Sequence, residues 1–491
     1  MTQVRTENGM VEGLVEDGLH FFRAIPYAAP PFGARRFLPP QSAESWDGVR
    51  DATRQGVSAP QPLPKPGDVW AEVTHPGQIG EDCLTLEIWT PDPGAAGLPV
   101  MVHIHGGGYV TGSGSAKMYN GRAFARDGVV HVGINYRLGI DGFVWFGEGH
   151  DNLGLRDQVA ALEWVQRNIR AFGGDPDNVT IFGQSGGGVS VMFQTVIPSA
   201  RGLFKRAIAQ SGSSVASTDA ETSRKVGLQA AKLLKVEPTV DGLRNVSLAR
   251  TAKASEGLVL RFALNLLRGN PRGLIISPFQ AVHETEFLPL SPLDAAKAGK
   301  PAVPLLTGTA RHEVVGFVEV LTAVPVIGRL AVRGLRKALA LPEAMQQAYA
   351  TGPRRLTGRA ALVEAQWSDW AFRIPTIHLI EHRPDPSWLY EFRWQAGDFR
   401  LGSMHGIEIP FTRDLLPMTR TLSGDAGELF RGAPQELADA MHSAWVRFAT
   451  TGDPGWEPYT PERRATMVFD IESRVVADAA GVEREVWAGR W

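Results

Sequence analysis

Val179-Thr180-Ile181-Phe182-Gly183-Gln184-Ser185-Gly186-Gly187 is the stretch on which the reading of this chain turns. Val179 to Phe182 is a short β-branched and aromatic run, the composition of a buried strand. The five residues after it fit the G-x-S-x-G pattern, which occurs once in the chain. The glycines answer a steric demand. A serine on a sharp strand-to-helix turn needs neighbours without side chains, which would collide with the strand or shield the hydroxyl. Gly186 to Val191 can open the helix that such a turn requires. By itself the pattern also fits a glycine turn with an idle serine, so its surroundings decide.

Working outward, strand and helix signals alternate. Leu98-Pro99-Val100-Met101-Val102-His103-Ile104 and Val129-Val130-His131-Val132-Gly133-Ile134 read as strands. Leu155, Val159, Leu162, Val165, Ile169 and Phe172 recur at steps of three and four, one face of a helix. Gly173-Gly174 ends that helix and Pro176 keeps it from resuming. Such alternation predicts an α/β fold, a mostly parallel central sheet flanked by helices. From about 217 to 365 helical patterns dominate, as in Ala230-Ala231-Lys232-Leu233-Leu234 and Leu258 to Leu267, with a strand expected at Pro304-Leu305-Leu306. This stretch reads as helical material inserted around the sheet. A further amphipathic helix is expected near Glu436 to Ala449. No repeat, low-complexity tract or long linker divides the chain, so one domain over 1–491 is the simplest organisation.

His105-Gly106-Gly107-Gly108-Tyr109 follows the strand ending at Ile104. Serial glycines leave backbone N–H groups free to converge on one point. Acyl transfer needs such donors for the negative oxygen of a tetrahedral intermediate, and an HGGG-type loop is the usual companion of the G-x-S-x-G turn. Neither of the common phosphate-binding glycine motifs is present.

A serine nucleophile needs a base, and histidine is the usual one. Of twelve histidines, His405 in Gly402-Ser403-Met404-His405-Gly406 follows the serine and is flanked by glycines, as on a loop. His103 and His105 read as strand-end and loop packing residues. His378, His382 and His442 read as helix surface or packing residues, and His150 as a loop residue. The carboxylate belongs between serine and histidine in the chain. Glu313, after the apolar run Val303 to Leu306, and Asp369, in Ser368-Asp369-Trp370, both qualify, and position alone does not separate them. His283-Glu284 and His312-Glu313 each begin an H-E-x-x-H pattern, but the fifth positions are Phe287 and Gly316, so no metal site is expected.

Composition bounds the rest. The 491 residues are 43% hydrophobic and 21% charged, ordinary for a globular protein. The net charge of −2 gives no electrostatic reason to expect a nucleic acid or a charged membrane surface as partner. The apolar stretch Val314 to Val332 is interrupted by Glu319, Thr322, Pro325 and Arg329, which argues against a transmembrane span. Cys83 is the single cysteine, so an internal disulfide is impossible. With no apolar leader at the start, a cytoplasmic location is expected.

The chain as a whole resembles the type B carboxylesterase family of α/β-hydrolases, the group that includes cholinesterases and bacterial para-nitrobenzyl esterases. The resemblance runs from about Val11 to Trp456. It rests on Phe22-Arg23-Ala24-Ile25-Pro26-Tyr27-Ala28, Gly80-Glu81-Asp82-Cys83-Leu84-Thr85-Leu86, Asn135-Tyr136-Arg137-Leu138-Gly139, Phe172-Gly173-Gly174-Asp175-Pro176, Ala207-Ile208-Ala209-Gln210-Ser211-Gly212 and His405-Gly406-Ile407-Glu408-Ile409-Pro410-Phe411. It implies an α/β-hydrolase fold, whose helical insertions at about 217–365 contribute to a substrate gorge. It implies a triad of Ser185, Glu313 and His405, and an oxyanion hole of the Gly107, Gly108 and Gly186 amides. Asp369 then falls in a D-x-x-F-x-x-P segment that looks structural.

The departures from the family pattern are Gln184, where glutamate is usual, and Gly186, where alanine is usual. Ala310 replaces an asparagine, and His312 stands where aspartate is frequent. The family's usual disulfide partner of Cys83 is Ala59 here, so Cys83 is expected to be a buried free thiol. The implied activity is hydrolysis of short to medium acyl esters, with a small-molecule ester and water as substrates and no cofactor. No amphipathic lid is read in the sequence, which speaks against a long-chain lipase. Two alternatives remain at this stage: a binding module that has lost catalysis, and an amidase or transacylase using the same acyl-enzyme.

Overall fold

The structure is a computed structural model describing residues 1–65, 68–270, 274, 277–300, 302–322, 325–351 and 359–490. Among the described residues, thirteen strands form one sheet. Its centre is parallel, in the order Val130–Ile134, Leu98–Ile104, Gly174–Gln184, Arg206–Gln210, Leu305–Ala310, Ser387–Phe392, Ala465–Phe469. Antiparallel strands extend it at both sides: Thr85–Thr90 beside Val130–Ile134, and Arg474–Ala477 beside Ala465–Phe469. The mostly parallel α/β sheet read from the sequence is therefore present.

Why the central strands are apolar throughout follows from burial on both faces. Val100 and Val102 point into one core, whereas Met101 points into the other, together with Phe182, Ile208 and Leu306. The helix Leu153–Asn168 covers the first face with Leu155, Leu162 and Val165. The helix Gln435–Thr451 covers the second with Trp445 and Phe448. Both helices fall where periodicity put them: the second extends slightly past both ends of Glu436 to Ala449, whereas the first stops at Asn168 and leaves Ile169 and Phe172 on the tighter turn Ile169–Phe172. The strand expected at Val179 to Phe182 runs Gly174–Gln184, because Gly174 pairs with Leu98 across a register break that local composition does not encode.

Between about 217 and 365 the described residues include the helices Ala220–Leu234, Leu248–Leu267, Val315–Thr322, Pro325–Leu339 and Arg359–Ser368. This stretch also supplies the sheet strand Leu305–Ala310 and a small parallel pair, Ser217–Thr218 with Ala281–Val282. One helix differs from the sequence reading. Pro325–Leu339 is amphipathic, with Ala331, Leu335, Ala338 and Leu339 buried and Arg329, Arg333, Arg336 and Lys337 outward. Among the described residues, no helix is long and apolar enough to cross a membrane.

Strand order sets the position of the site. The chain enters the sheet centre with Leu98–Ile104, steps to one side with Val130–Ile134, and returns on the other side with Gly174–Gln184. Such a reversal opens a crevice at the carboxyl ends of the strands. Ile104 pairs with Gly183, so the His105 loop and the Ser185 turn leave the sheet at one level. Glu313 leaves the same edge after Leu305–Ala310.

Candidate active site

Ser185 joins the strand Gly174–Gln184 to the helix Gly186–Gln194 at φ 59°, ψ −126°, a conformation that side-chain-bearing residues avoid. The bend is held from both sides: Ser185 N–H donates to Gln210 O at 2.9 Å, and Val189 N–H donates to Ser185 O at 2.8 Å. The glycine at 187 has a measurable reason. A Cβ there would stand 2.0 Å from Ile104 O, so the helix start can lie against the strand only without one. Gly187→Ala is expected to destabilise the protein by about 3 kcal/mol or more through this overlap. Urea unfolding checks this, and a midpoint equal to wild type would mean that the turn has room to spare.

The loop His105–Tyr109 crosses in front of the serine. A Cβ on Gly106 would come 3.2 Å from Ser185 Cβ, and one on Gly107 would come 2.1 Å from Thr111 O. Gly107 and Gly108 have φ of 108° and 61°. The Asn135-Tyr136 motif acquires its explanation here. Tyr136 Oη–H donates to His105 O at 2.8 Å and its ring stacks on the His105 imidazole, while Asn135 Oδ1 accepts from Gly114 N–H at 2.8 Å. Ser277 Oγ–H donates to Gly108 O at 2.7 Å, turning that peptide's oxygen away and fixing the loop. The N–H groups of Gly107 and Gly108 meet no acceptor among the described residues. Gly186 opens a helix, where an N–H has no intrahelical acceptor. A Cβ on Gly186 would lie 3.0 Å from Gly108 N, so the missing methyl allows these two amides to approach closely.

His405 and Glu313, 92 residues apart, are hydrogen-bonded through His405 Nδ1 and Glu313 Oε2. Glu313 is fully buried, and its other oxygen accepts from Ala310 N–H and from Ser211 Oγ–H, each at 2.7 Å. The two loops are zipped together upstream: His312 N–H donates to Ser403 O at 2.9 Å, and Ser403 N–H donates to His312 Nδ1 at 3.2 Å. His312, a departure from the family pattern, thus carries part of the bridge between acid and base. Gly406 lies beside Gln184, since a Cβ there would be 3.6 Å from Gln184 Nε2. That contact sets the His405 loop against the serine turn. Asp369, the rival carboxylate, is engaged elsewhere, paired with Arg373 and accepting from Tyr349 Oη–H at 2.5 Å.

Electrostatics separate the histidines. Burial lowers His103 and His131 well below the ordinary value and His105 to about 4, so these imidazoles are neutral packing groups. Burial also opposes charge on His405, but Glu313 by charge and hydrogen bond, and Glu408 by charge, outweigh it and raise its pKa. His442 is buried and bonded to Thr412 O and Asp127. Cys83 is a buried free thiol, pushed up by burial.

Sequence reasoning missed two residues at the site. Ser211 was visible only as part of the Ala207 to Gly212 segment, with no signal that its hydroxyl reaches Glu313. Glu408, three residues past His405, is fully buried, and neither of its oxygens has a hydrogen-bond partner among the described residues. Burial, with Glu313 second, pushes it up to about 7. Among the described residues no group of three or more His, Cys, Asp or Glu is placed to hold a metal ion.

Comparison with known proteins places the whole chain. The para-nitrobenzyl esterase of Bacillus subtilis is 34% identical, over 98% of this chain and 97% of that one. The phenmedipham hydrolase of Pseudarthrobacter oxydans is 32% identical, over 96% of each. A crystal structure of a Geobacillus stearothermophilus carboxylesterase superposes with a TM-score of 0.85 at 31% identity, covering 99% of this chain and 100% of that one. The fold is that of the α/β-hydrolases. The model of the carboxylesterase family matches residues 1–485, and the chain belongs to that family as a carboxylesterase.

Proposed function

We propose that this carboxylesterase cleaves short to medium acyl esters through an acyl-enzyme, with Ser185 as nucleophile, His405 as general base and acid, and Glu313 as its orienting carboxylate. The observation that carries the reading is the bond between His405 and the fully buried Glu313, on a loop set against the turn that holds Ser185 at positive φ. Glu313 is an acceptor, so it keeps a proton on His405 Nδ1 and leaves Nε2 as the basic atom. Nε2 takes the Ser185 proton as Oγ attacks the ester carbonyl. The amides of Gly107, Gly108 and Gly186 receive the oxyanion. Collapse expels the alcohol, protonated by His405, and water then releases the acid by the same steps in reverse.

Reading the chain as one domain, the inserted helices from about 217 to 365 roof the crevice and wall a substrate gorge. A cytoplasmic setting accompanies this reading, with Cys83 reduced. The direct test is nitrophenol release from p-nitrophenyl acetate, butyrate and decanoate. Decline from butyrate to decanoate supports the proposed acyl range, and a maximum at decanoate would overturn it.

The charges around His405 add a pH prediction. Catalysis needs neutral imidazole, so kcat/KM falls as pH drops through a pKa above the ordinary histidine value. Glu408 contributes to that elevation when ionised. Glu408→Gln is therefore expected to move the acid limb of the kcat/KM profile to lower pH, with the plateau rate little changed. An unmoved limb would remove Glu408 from the electrostatics of the base.

A further inference from the structure

Five of the fifteen exposed large hydrophobic side chains in the described structure lie on three helices that make up under a tenth of the chain. Leu260 and Leu264 are one turn apart on Leu248–Leu267, and Phe317 and Val320 one turn apart on Val315–Thr322. Leu330 is on Pro325–Leu339. Val320 is 79% and Leu260 64% exposed, more than incidental surface contact explains. Pro325–Leu339 packs against both of the other helices, and Lys337 lies across Gly269, just past the end of Leu248–Leu267. Each helix buries one side, and Pro325–Leu339 joins the other two, so the three outward sides adjoin through it. Exposed apolar groups gathered in this way mark an interaction site rather than the scattered exposure of an ordinary surface.

The charge on this surface says what it fits. Arg329, Arg333, Arg336 and Lys337 recur at helical spacing on the outer side of Pro325–Leu339, and Arg261 and Arg268 are exposed on and just after the neighbouring helix. None of these six is in an ion pair among the described residues. The two carboxylates within the three helices are neutralised, Glu256 by Lys65 and Glu319 by Arg400. Beyond them Glu343, at the start of the following helix, is the nearest acid in sequence to Lys337. The whole chain's net charge of −2 hides this local surplus. Apolar side chains interleaved with unpaired arginines on amphipathic helices are the chemistry of attachment to an anionic lipid interface. A second copy of the same face would set arginines against arginines.

The surface is tied to the candidate site. Val315–Thr322 begins two residues after Glu313. Ser255, on Leu248–Leu267, accepts from Ile140 N–H at 3.2 Å, next to Gly139, whose N–H donates to Tyr109 O at 2.6 Å behind the glycine loop. We propose that this helical face docks the enzyme on an anionic phospholipid surface and presents the site to acyl esters held there. The docking stands on the surface alone, while the delivery of esters rests on the proposed function.

Vesicle sedimentation tests the docking, with phosphatidylcholine alone and with an equimolar phosphatidylcholine–phosphatidylglycerol mixture. The wild type and Ser185→Ala are expected to sediment equally with the anionic vesicles, to leave them at high salt, and to ignore the neutral ones. Arg329→Gln with Arg333→Gln is expected to weaken partitioning about tenfold or more. Leu260→Ser with Val320→Ser is expected to weaken it as well. Both double variants should keep the wild-type circular-dichroism spectrum and thermal melt, which shows that they fold. Absence of binding to anionic vesicles, or equal binding by wild type and the arginine variant, would overturn the proposal. So would a concentration-dependent dimer that Val320→Ser dissolves without any vesicle binding, since a second copy would then cover the face. Vesicle binding without esterase activity would keep the docking and sink the catalytic reading instead.

Discussion

Ser185→Ala is expected to lower kcat/KM toward p-nitrophenyl butyrate by about 10⁴–10⁶-fold. The size follows from the division of labour. On the proposed mechanism, removing Oγ abolishes the acyl-enzyme route and leaves only the proposed oxyanion amides and substrate binding, which support only a residual rate above water. The fold should tolerate the change. Serine at this turn is held by its backbone, through Gln210 O and Val189 N–H, and alanine keeps both bonds. A circular-dichroism melt close to wild type accompanying the lost activity would therefore isolate chemistry from stability. Full activity in the variant would move the nucleophile elsewhere and dissolve the triad with it.

Glu313→Gln is expected to cost about 10⁴-fold in kcat. The carboxylate is fully buried with three partners: His405 Nδ1, the Ala310 amide and the Ser211 hydroxyl. An amide keeps the shape but can turn an NH₂ toward His405. That forces the proton to Nε2, leaving no base for Ser185. The variant should also lose the charge that raises the His405 pKa, so its residual activity should have an acid limb at lower pH than the wild type. These two readouts distinguish loss of orientation from general disruption. A drop below tenfold with an unchanged pH profile would instead favour Asp369, buried against Arg373 and Tyr349, as the working acid.

How the site assembles explains what could be read in advance. The strand–turn–helix around Ser185 was legible because its demand is local: Gly187 must be glycine for the helix to lie against Ile104 O, and the demand is written into the residues that meet it. The triple glycine after Ile104 was legible for the same reason. The pairing of Glu313 with His405 was not, because Glu313 and Asp369 satisfy the same chain order. The bridge that brings the loops together is one backbone bond, from His312 N–H to Ser403 O, and one bond from Ser403 N–H to the His312 imidazole, a pairing that neither residue's neighbours in sequence announce. Ser211 and Glu408 escaped notice because hydroxyls and carboxylates are common, and only burial distinguishes these two from surface groups. The amphipathic helix Pro325–Leu339 was obscured by Gly328 and Gly334, which break the apolar pattern without breaking the helix.

By itself, then, the amino-acid order determined the α/β class, the serine turn, the glycine loop and the histidine. In each of these, short-range sterics or periodicity dictates the residue type. Chain order left the carboxylate open between Glu313 and Asp369; the family resemblance implied Glu313, and the tertiary structure shows it bonded to His405. Tertiary structure alone decided which hydroxyl supports that carboxylate, and that an orphaned Glu408 lies close by. It also gathered scattered arginines and leucines into one outward face. These depend on contacts between residues far apart in the chain, where burial, desolvation and charge act through distance in space and leave no mark on neighbours in sequence.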